Sequence, residues 1–424
     1  SKFPKSSRFG FFPSVSAGWQ IAQERFMNST RHWLDGLKLR ASYGVIGNQN
    51  INPYTFTPSM SVNNKATSWI IDDTYVTSIS SLPALVSQNF TWEKVGTINV
   101  GLDVNLFNNR LSGVFEWYQR NTNGMLAPGV QLPAVVGASA PYQNTADMRT
   151  RGWELSLNWR DQIGKVGYRI GFNLSDYKSE IIKYDDNAAT KLLSSYYPGQ
   201  TLGEIWGYVV DGYYTVDDFV DTSSWQLKEG VTSINGYNVR PGDVKFKNLR
   251  DDDTSTNVIT SGDNTFDNPG DRKVIGNTTP RYQYGINLGM NYAGFDLNVI
   301  LQGTGKRDYW ISNVLTFPMN GDNFVPLFEG LSDYWMPKDP DNGDWSAVNP
   351  NAKYPRIYGN RGNSGSNLRQ SDKYLSDASY LRIKNITLSY KLPKKWVNQI
   401  FLNQMKAFVS IENVATFTSL PSGI

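Results

Sequence analysis

Two long polar segments of the chain are rich in aromatic side chains, whose flat rings can stack on sugar rings. Such rings also suit a protein interface, because most of the ring is apolar and one edge can hydrogen-bond. We therefore predict contact with a ligand or a covering protein, although a large loop can also use its aromatic residues as a core of its own. The candidates in residues 178–280 are Trp206, Tyr208, Tyr213, Tyr214 and Trp225, and those in residues 306–378 are Trp310, Trp335 and Trp345, with Tyr309 and Tyr334 beside them.

Residues that could catalyse a reaction are scarce. His32 is the only histidine and there is no cysteine, so a Ser-His-Asp triad would depend on one residue without any G-x-S-x-G motif. The segment GTGKR at 303–307 imitates the end of a P-loop, but Ile300 lies within a predicted strand and Arg307 stands in place of Ser or Thr. We predict a protein that is not an enzyme and requires no cofactor.

Aspartates are frequent between residues 243 and 271. In the absence of cysteine, a metal ion in this chain would have to bind through oxygen, and carboxylate oxygens are the ligands that Ca²⁺ prefers. A solvated acidic loop is the alternative. The aspartates are Asp243, Asp251, Asp252, Asp253, Asp263, Asp267 and Asp271.

The composition favours β structure and excludes several classes of protein. Aromatic residues make up 13% of the chain and charged residues only 19%, with 37 glycines for turns. The formal charge of +3 has no basic stripe that suits a phosphate backbone, so nucleic acid is not an expected partner. No segment approaches the roughly 20 consecutive apolar residues of a membrane helix, which excludes helical bundles. A barrel strand remains possible, because it shows lipid only every second residue.

Alternation of apolar and polar residues predicts about ten strands. From Thr97 to Leu106 every second residue is apolar, and Asn108 and Asn109 then supply a tight turn because asparagine tolerates positive φ. Near Lys384 the apolar phase slips, which predicts a β-bulge. Similar alternation occurs at 111–117, 153–160, 168–175, 281–292 and 295–301, and fainter strands lie near 9–21, 37–48, 380–392 and 404–415.

Connection lengths distinguish a membrane barrel from a soluble sandwich, which shows the same alternation. The predicted connections alternate between short and long along the chain, as in an outer-membrane barrel with tight periplasmic turns and long extracellular loops. Strands of about 10 to 14 residues also suit a tilted crossing of the bilayer. Rings near the strand ends would form interfacial girdles. The short or moderate connections lie near 22–36, 107–110, 161–165, 293–294 and 393–403, the long ones at 49–91, 123–148, 178–280 and 306–378, and the girdle rings are Trp153, Trp159, Tyr168, Tyr282 and Tyr292.

Several segments, in this order and spacing, resemble the SusC/RagA-like TonB-dependent transporters of Bacteroidota. They include RFGFFPSVSAGWQI at 8–21, LKLRASYGVIGNQNI at 37–51, WEKVGTINVGLDVNLFNNRLSGVFEWYQRNTNGML at 92–126 and NTADMRTRGWELSLNW at 144–159. The others are GQTLGEIWGYVVDGYY at 199–214, DRKVIGNTTPRYQYGINLGMNY at 271–292, SYLRIKNITLSYKLPKKW at 379–396 and ENVATFT at 412–418.

The resemblance implies an antiparallel transmembrane β-barrel of 22 strands in the bacterial outer membrane. Residues 1–424 would form part of that single barrel domain, with the N-terminal plug and the last strands outside them. It also implies import of a glycan, oligosaccharide or peptide together with a SusD-like lipoprotein, powered by TonB–ExbB–ExbD through the plug. The alternatives are a passive porin or adhesin barrel, and a soluble β-rich carbohydrate-binding protein.

The family often carries an acidic loop resembling an EF-hand, which implies Ca²⁺ binding through Asp252 and Asp271. This sequence departs from that pattern. Asn248 and Arg250 occupy the first two ligand positions if Asp252 is the third, and Asp253 replaces the usual glycine. Arginine cannot ligate a cation, which favours the solvated loop.

Overall fold

Ten long strands, labelled β1 to β10, form one antiparallel sheet in the order of the chain. Each neighbouring pair is joined by a hairpin connection, so the all-β, antiparallel prediction with about ten strands is confirmed. The computed structural model describes residues 2–54, 56–60, 62–63, 70–71, 74–75, 79–80, 85–87, 91–130, 132–250, 257–311, 329–358, 365–399 and 401–420. The strands are β1 (Ser14–Gln20), β2 (Leu34–Asn48), β3 (Glu93–Leu106), β4 (Leu111–Pro128), β5 (Tyr142–Ile163), β6 (Val166–Tyr184), β7 (Arg281–Tyr292), β8 (Phe295–Lys306), β9 (Tyr380–Lys391) and β10 (Lys406–Thr418).

The register of the strands separates an apolar face from a polar one. Leu102 lies between Leu39 and Phe115 in the sheet, and this row continues into Leu155 and Leu174. Because residues paired across antiparallel strands share a face, the alternation along each strand becomes a continuous apolar surface. Leu39 is 40% exposed and Phe115 is 44% exposed, so this face is open to its surroundings rather than packed against a second layer.

The polar face is built from ion pairs that cross strands. Arg40 Nε lies 3.1 Å from Asp103 Oδ1, and the same guanidinium contacts Glu116 on the next strand. Gly101 stands opposite Arg40, and a Cβ there would lie 2.7 Å from Arg40 Cζ. Glycine therefore leaves the space in which the guanidinium crosses the strand.

The bulge predicted near Lys384 is confirmed. In the pairing of β8 with β9, Ile300 faces Asn385 and Leu301 faces Ile383, so Lys384 is the extra residue. The register on the other side of β9 also shifts between Ile383 and Asn385. One inserted residue keeps the apolar residues before and after it on the same face, which accounts for the slipped phase in the sequence.

Three strands are longer than the alternation predicted. β4 runs to Pro128, β5 begins at Tyr142 and β6 ends at Tyr184, so the connection between β4 and β5 is only 129–141. It is no longer than the connection 21–33 between β1 and β2, and the predicted strict alternation of connection lengths is wrong at this point. Trp153 accordingly lies in the middle of β5, not near its end. The cross-strand pairing of polar residues such as Arg149 and Asn121 extends these strands where the apolar pattern has stopped.

Short strands and single helical turns occupy the connections. In the part of the chain that the structure describes, no helix is long and apolar enough to cross a membrane. The short strands are Val62–Asn63, Ile70–Ile71, Thr74–Tyr75, Ile79–Ser80, Glu204–Tyr208, Val210–Tyr213, Ser233–Ile234, Val244–Phe246, Val258–Ile259, Arg272–Asn277, Asp308–Trp310, Pro337–Asp339, Asp344–Ala347 and Leu375–Asp377. The 3-10 helices of the described residues are Lys5–Ser7, Ile21–Gln23, Arg25–Thr30, Ala134–Val136, Asp185–Asn187, Val216–Asp218, Glu329–Leu331, Pro340–Asn342 and Asp372–Tyr374, and an α-helix, α1, spans Lys394–Asn398.

Candidate functional site: the lobe of the two longest loops

The two longest connections, 185–280 and 307–379, pack together at one end of the sheet, and their described residues are called the loop lobe here. The first loop has a core that includes Tyr214, Val244, Phe246 and Ile259, all fully buried. A smaller core in the second loop joins Leu331, Tyr354 and Tyr374. Aromatic side chains thus supply much of the apolar interior that a long loop requires for a fixed shape.

Hydrogen bonds join the two loops along a seam. The backbone N–H of Tyr208 donates to the carbonyl oxygen of Gln370 at 2.9 Å, and the Tyr213 hydroxyl donates to the carbonyl oxygen of Ala352 at 2.9 Å. A third bond runs from the N–H of Arg356 to the carbonyl oxygen of Gly242. Because each of these bonds joins a residue of one loop to a residue of the other, the bonds hold the two loops together.

Asp243 lies at the centre of the seam with 1% of its surface exposed. Its carboxylate accepts hydrogen bonds from the backbone N–H of Arg240 at 2.8 Å, from Asn367 Nδ2 at 2.9 Å and from the Tyr358 hydroxyl at 2.7 Å. The side-chain oxygen of Asn367 in turn accepts from the N–H of Val244. Burial raises the pKa of Asp243, and these hydrogen bonds oppose the rise by stabilising the charged form.

Three of the aromatic candidates are interior residues of the lobe. Tyr214 is completely buried, Trp335 is 3% exposed and Tyr208 is 6% exposed. Tyr214 also donates its hydroxyl hydrogen to the carbonyl oxygen of Thr232 at 2.6 Å. Side chains with so little exposed surface pack inside the lobe. Contact between these three side chains and a ligand or a covering protein stays a prediction.

Three other candidates are half-buried and make contacts within the lobe. The Trp206 indole N–H donates to the Tyr197 hydroxyl at 3.1 Å. Tyr213 packs against the first core, and burial raises its pKa, while Trp310 packs against the second core. Contact between these side chains and a ligand stays a prediction.

The last two candidates, Trp225 and Trp345, meet at the seam although they belong to different loops. Their ring centroids are 5.1 Å apart in an edge-to-face arrangement, and both rings are half-buried. The Arg240 guanidinium lies 5.6 Å from the Trp225 ring, and the Arg356 guanidinium lies 4.9 Å from the Trp345 ring. We call these four side chains the tryptophan-arginine platform. The sequence analysis did not identify the two arginines, and only a test for cations near the predicted rings could have selected them.

Asp271 has a structural role that the calcium prediction did not include. It is fully buried, and its carboxylate oxygens accept hydrogen bonds at 2.8 Å from the backbone N–H groups of Leu249 and Thr260. Asp252 lies outside the described residues, among which no group of three or more acidic or histidine side chains could hold a metal ion. The described residues therefore account for Asp271 by backbone contacts, and Ca²⁺ binding through Asp252 and Asp271 stays a prediction.

Lys373 is a further residue that the sequence analysis missed. Its ammonium group lies 4.5 Å from the centre of the Tyr213 ring, within the seam. Burial lowers the pKa of Lys373 to about 8, although Asp372 and Asp333 act in the opposite direction. A lysine that is nearly neutral at mildly alkaline pH is consistent with the apolar packing on which the seam depends.

The sequence of the chain matches a known protein family over most of its length. A family profile described as "TonB dependent receptor-like, beta-barrel" matches residues 1–414. The chain belongs to this family. Among TonB-dependent receptors, TonB-dependent receptor P3 of Formosa agariphila is 28% identical over 439 residues, which cover 99% of this chain and 39% of that receptor. SusC of Bacteroides thetaiotaomicron is 26% identical over 412 residues, which cover 95% of this chain and 36% of SusC. The chain thus spans well under half the length of these receptors.

Solved structures of the RagAB peptide importer share the fold. The closed-closed state superposes with a TM-score of 0.72 and 23% identity, over 99% of this chain and 41% of that one. The open-open state also gives a TM-score of 0.72, over 99% of this chain and 40% of that one. The resemblance to SusC/RagA-like TonB-dependent receptors is confirmed, and with it a β-barrel fold of which these ten strands form an open part. The family is one of receptors and transporters rather than enzymes.

Proposed function

We propose that this chain is part of the barrel of an energy-coupled importer in the bacterial outer membrane. The observation that carries the proposal is the ten-stranded antiparallel sheet with one exposed apolar face and one polar face crossed by ion pairs. Lipid is the medium that suits the apolar face, because contact with water would cost roughly 25 cal/mol for each Å² of apolar surface. The polar face suits a hydrated interior.

The partners of the importer are part of the proposal and rest on its family and on the loop lobe. The proposal includes a SusD-like lipoprotein that contacts the long loops, and energy transfer from TonB–ExbB–ExbD through a plug domain. The cargo would be a glycan, an oligosaccharide or a peptide. Support comes from the similarity to SusC and from the fold shared with the RagAB peptide importer. The fixed shape of the loop lobe suits the recognition of such a cargo or partner.

Fractionation and uptake in the source bacterium test this function. We expect the whole protein in the outer membrane, a lipoprotein that co-purifies with it in detergent, and loss of growth on at least one glycan or peptide when either its gene or tonB is deleted. Outer-membrane recovery with growth that does not depend on TonB would favour a passive porin or an adhesin. Recovery from the soluble fraction would instead favour a secreted carbohydrate-binding module.

Calcium binding through Asp252 and Asp271 is a secondary proposal. Calorimetric titration of the whole transporter with CaCl₂ should show binding that a double variant, Asp252→Ala with Asp271→Asn, loses. The backbone contacts of Asp271 make its replacement a structural change as well, so Asp252→Ala alone is the decisive variant. Equal binding by wild type and Asp252→Ala would contradict the proposal.

A further inference from the structure

The tryptophan-arginine platform presents two indole rings in fixed positions on the loop lobe. Trp225 has a φ of 56°, a left-handed conformation that is unusual for a bulky residue. The Asp221 carboxylate stabilises the preceding turn by accepting hydrogen bonds from the N–H groups of Ser223 and Ser224 at 2.8 and 2.7 Å. Behind the ring, buried Phe219 packs edge-on at 5.3 Å. The local structure therefore sustains an unfavourable backbone conformation that places this indole against Trp345.

Both arginines of the platform lie over aromatic rings rather than beside carboxylates. The Arg356 guanidinium is between the Trp345 ring at 4.9 Å and the Tyr358 ring at 5.0 Å. The Arg240 guanidinium lies near the ring of Trp225, which belongs to the same loop. Among the ion pairs formed by described residues, none involves Arg240 or Arg356. A guanidinium that lies over a ring keeps its N–H groups in its own plane, where they can donate to an acceptor at its edge.

The Asp243 carboxylate does not accept hydrogen bonds from these side-chain N–H groups. Asp243 is close enough to Arg356 for the guanidinium charge to lower its pKa, but its hydrogen bonds come from the backbone N–H of Arg240, Asn367 and Tyr358. Arg240 donates Nη1 to the carbonyl oxygen of Val239. Arg356 Nη1 is buried and has no hydrogen-bond partner. The platform thus combines two positive charges with one nearby negative charge. Both arginines are only partly buried, so an anion would approach the exposed part of each guanidinium rather than Arg356 Nη1.

We propose that the tryptophan-arginine platform binds an acidic saccharide, with a sugar ring stacked on an indole and a carboxylate or sulfate group bound by Arg356 and Arg240. A sugar presents a flat face of C–H groups that matches an aromatic ring, and its acidic substituent lies in reach of donors at the edge of that ring. The proposal rests on the proposed import function, because it names the class of cargo. It adds that the cargo is charged and identifies the side chains that select it.

Binding to the whole transporter, purified in detergent, tests the proposal. The probes are tetragalacturonate, neutral maltotetraose and tetraglutamate, each titrated by calorimetry at low salt. We expect tetragalacturonate to bind at least tenfold more tightly than maltotetraose and more tightly than tetraglutamate. The affinity for tetragalacturonate should fall at least tenfold in Arg356→Gln and in Trp345→Ala, and it should weaken as salt rises because charged contacts are screened.

A matched control is Arg369→Gln. Arg369 belongs to the same lobe, and its guanidinium lies 5.1 Å from the rings of Tyr208 and Tyr237, neither of which belongs to the platform. This variant should bind tetragalacturonate as wild type does, and resistance of the lobe to limited proteolysis shows whether each variant is folded. Equal affinity for maltotetraose, tighter binding of tetraglutamate, or unchanged affinity in folded Arg356→Gln would each overturn the proposal. Failure of the import function would appear separately, as wrong fractionation or uptake independent of TonB.

Discussion

At the scale of single residues, Asp243 has the largest consequences because its carboxylate joins both loops. Asp243→Ala would leave the Asn367 amide and the Tyr358 hydroxyl without acceptors in the interior, at about 1–3 kcal/mol for each unsatisfied donor. We expect the loop lobe to be cleaved by trypsin at least tenfold faster while the strands stay protected. Asp211→Ala is the control, because Asp211 is half exposed and its replacement loses only a 3.9 Å ion pair with Lys247. Equal cleavage rates for both variants would contradict the role of Asp243.

Lys373 makes the stability of the lobe depend on pH. Folding lowers its pKa from 10.5 to about 8, so the folded lobe favours the neutral amine. The stability that this contributes is present above pH 10.5 and is lost as pH falls through about 8. After allowance for partial solvent exposure the effect is about 1 kcal/mol between pH 9.5 and 7.

The measurement is limited proteolysis of the lobe at pH 7 and pH 9.5. We expect Lys373→Met to resist cleavage better than wild type at pH 7 and to differ little from it at pH 9.5. Lys247→Met, which replaces a half-exposed lysine of the same lobe, serves as the control. The assignment is wrong if Lys373→Met leaves the pH dependence of the cleavage rate unchanged.

At the scale of elements, the connections at the two ends of the sheet differ in whether they can accept inserted residues. Ala293 and Gly294 form the whole turn between β7 and β8, and both have positive φ, 47° and 91°. Such a two-residue turn fixes the hairpin register. Gly137 lies in the connection between β4 and β5, with no atom within 4 Å of a Cβ built on it and with Val135 beside it 92% exposed.

An epitope of about ten residues inserted at each point tests this difference and the orientation of the sheet. After Gly137 we expect normal amounts of protein in the membrane and antibody binding on intact cells. After Ala293 we expect at least a several-fold loss of protein, because the hairpin turn is broken, and antibody binding only after the outer membrane is permeabilised. Antibody binding to intact cells at Ala293 would reverse the proposed orientation.

At the scale of the whole molecule, the exposed apolar face determines behaviour in solution. Apolar side chains on it include Phe115, Met290 and Val409, which are 44%, 48% and 69% exposed. An apolar surface of this extent associates in water and is stable in lipid or detergent. We expect the whole protein to stay monodisperse in detergent, to aggregate when detergent is removed, and to keep its β-type circular dichroism in both states. A monodisperse protein without detergent would exclude the membrane barrel.

The sequence by itself determined the strands, their faces and the Lys384 bulge, because these depend on the period-two geometry of neighbouring residues. The alternation pattern underestimated the lengths of β4, β5 and β6. Polar residues extend those strands through cross-strand pairing, which a hydrophobic pattern does not record. The family also followed from ordered local motifs.

Only the tertiary structure decided which aromatic side chains are core and which are surface. Tyr214 and Trp225 both lie in the first long loop, yet Tyr214 is buried and Trp225 meets Trp345 of the second loop. The same holds for Asp243, whose partner Asn367 lies in the second loop. Contacts between loops depend on packing between residues far apart in the chain, and no local pattern of residue types specifies that packing.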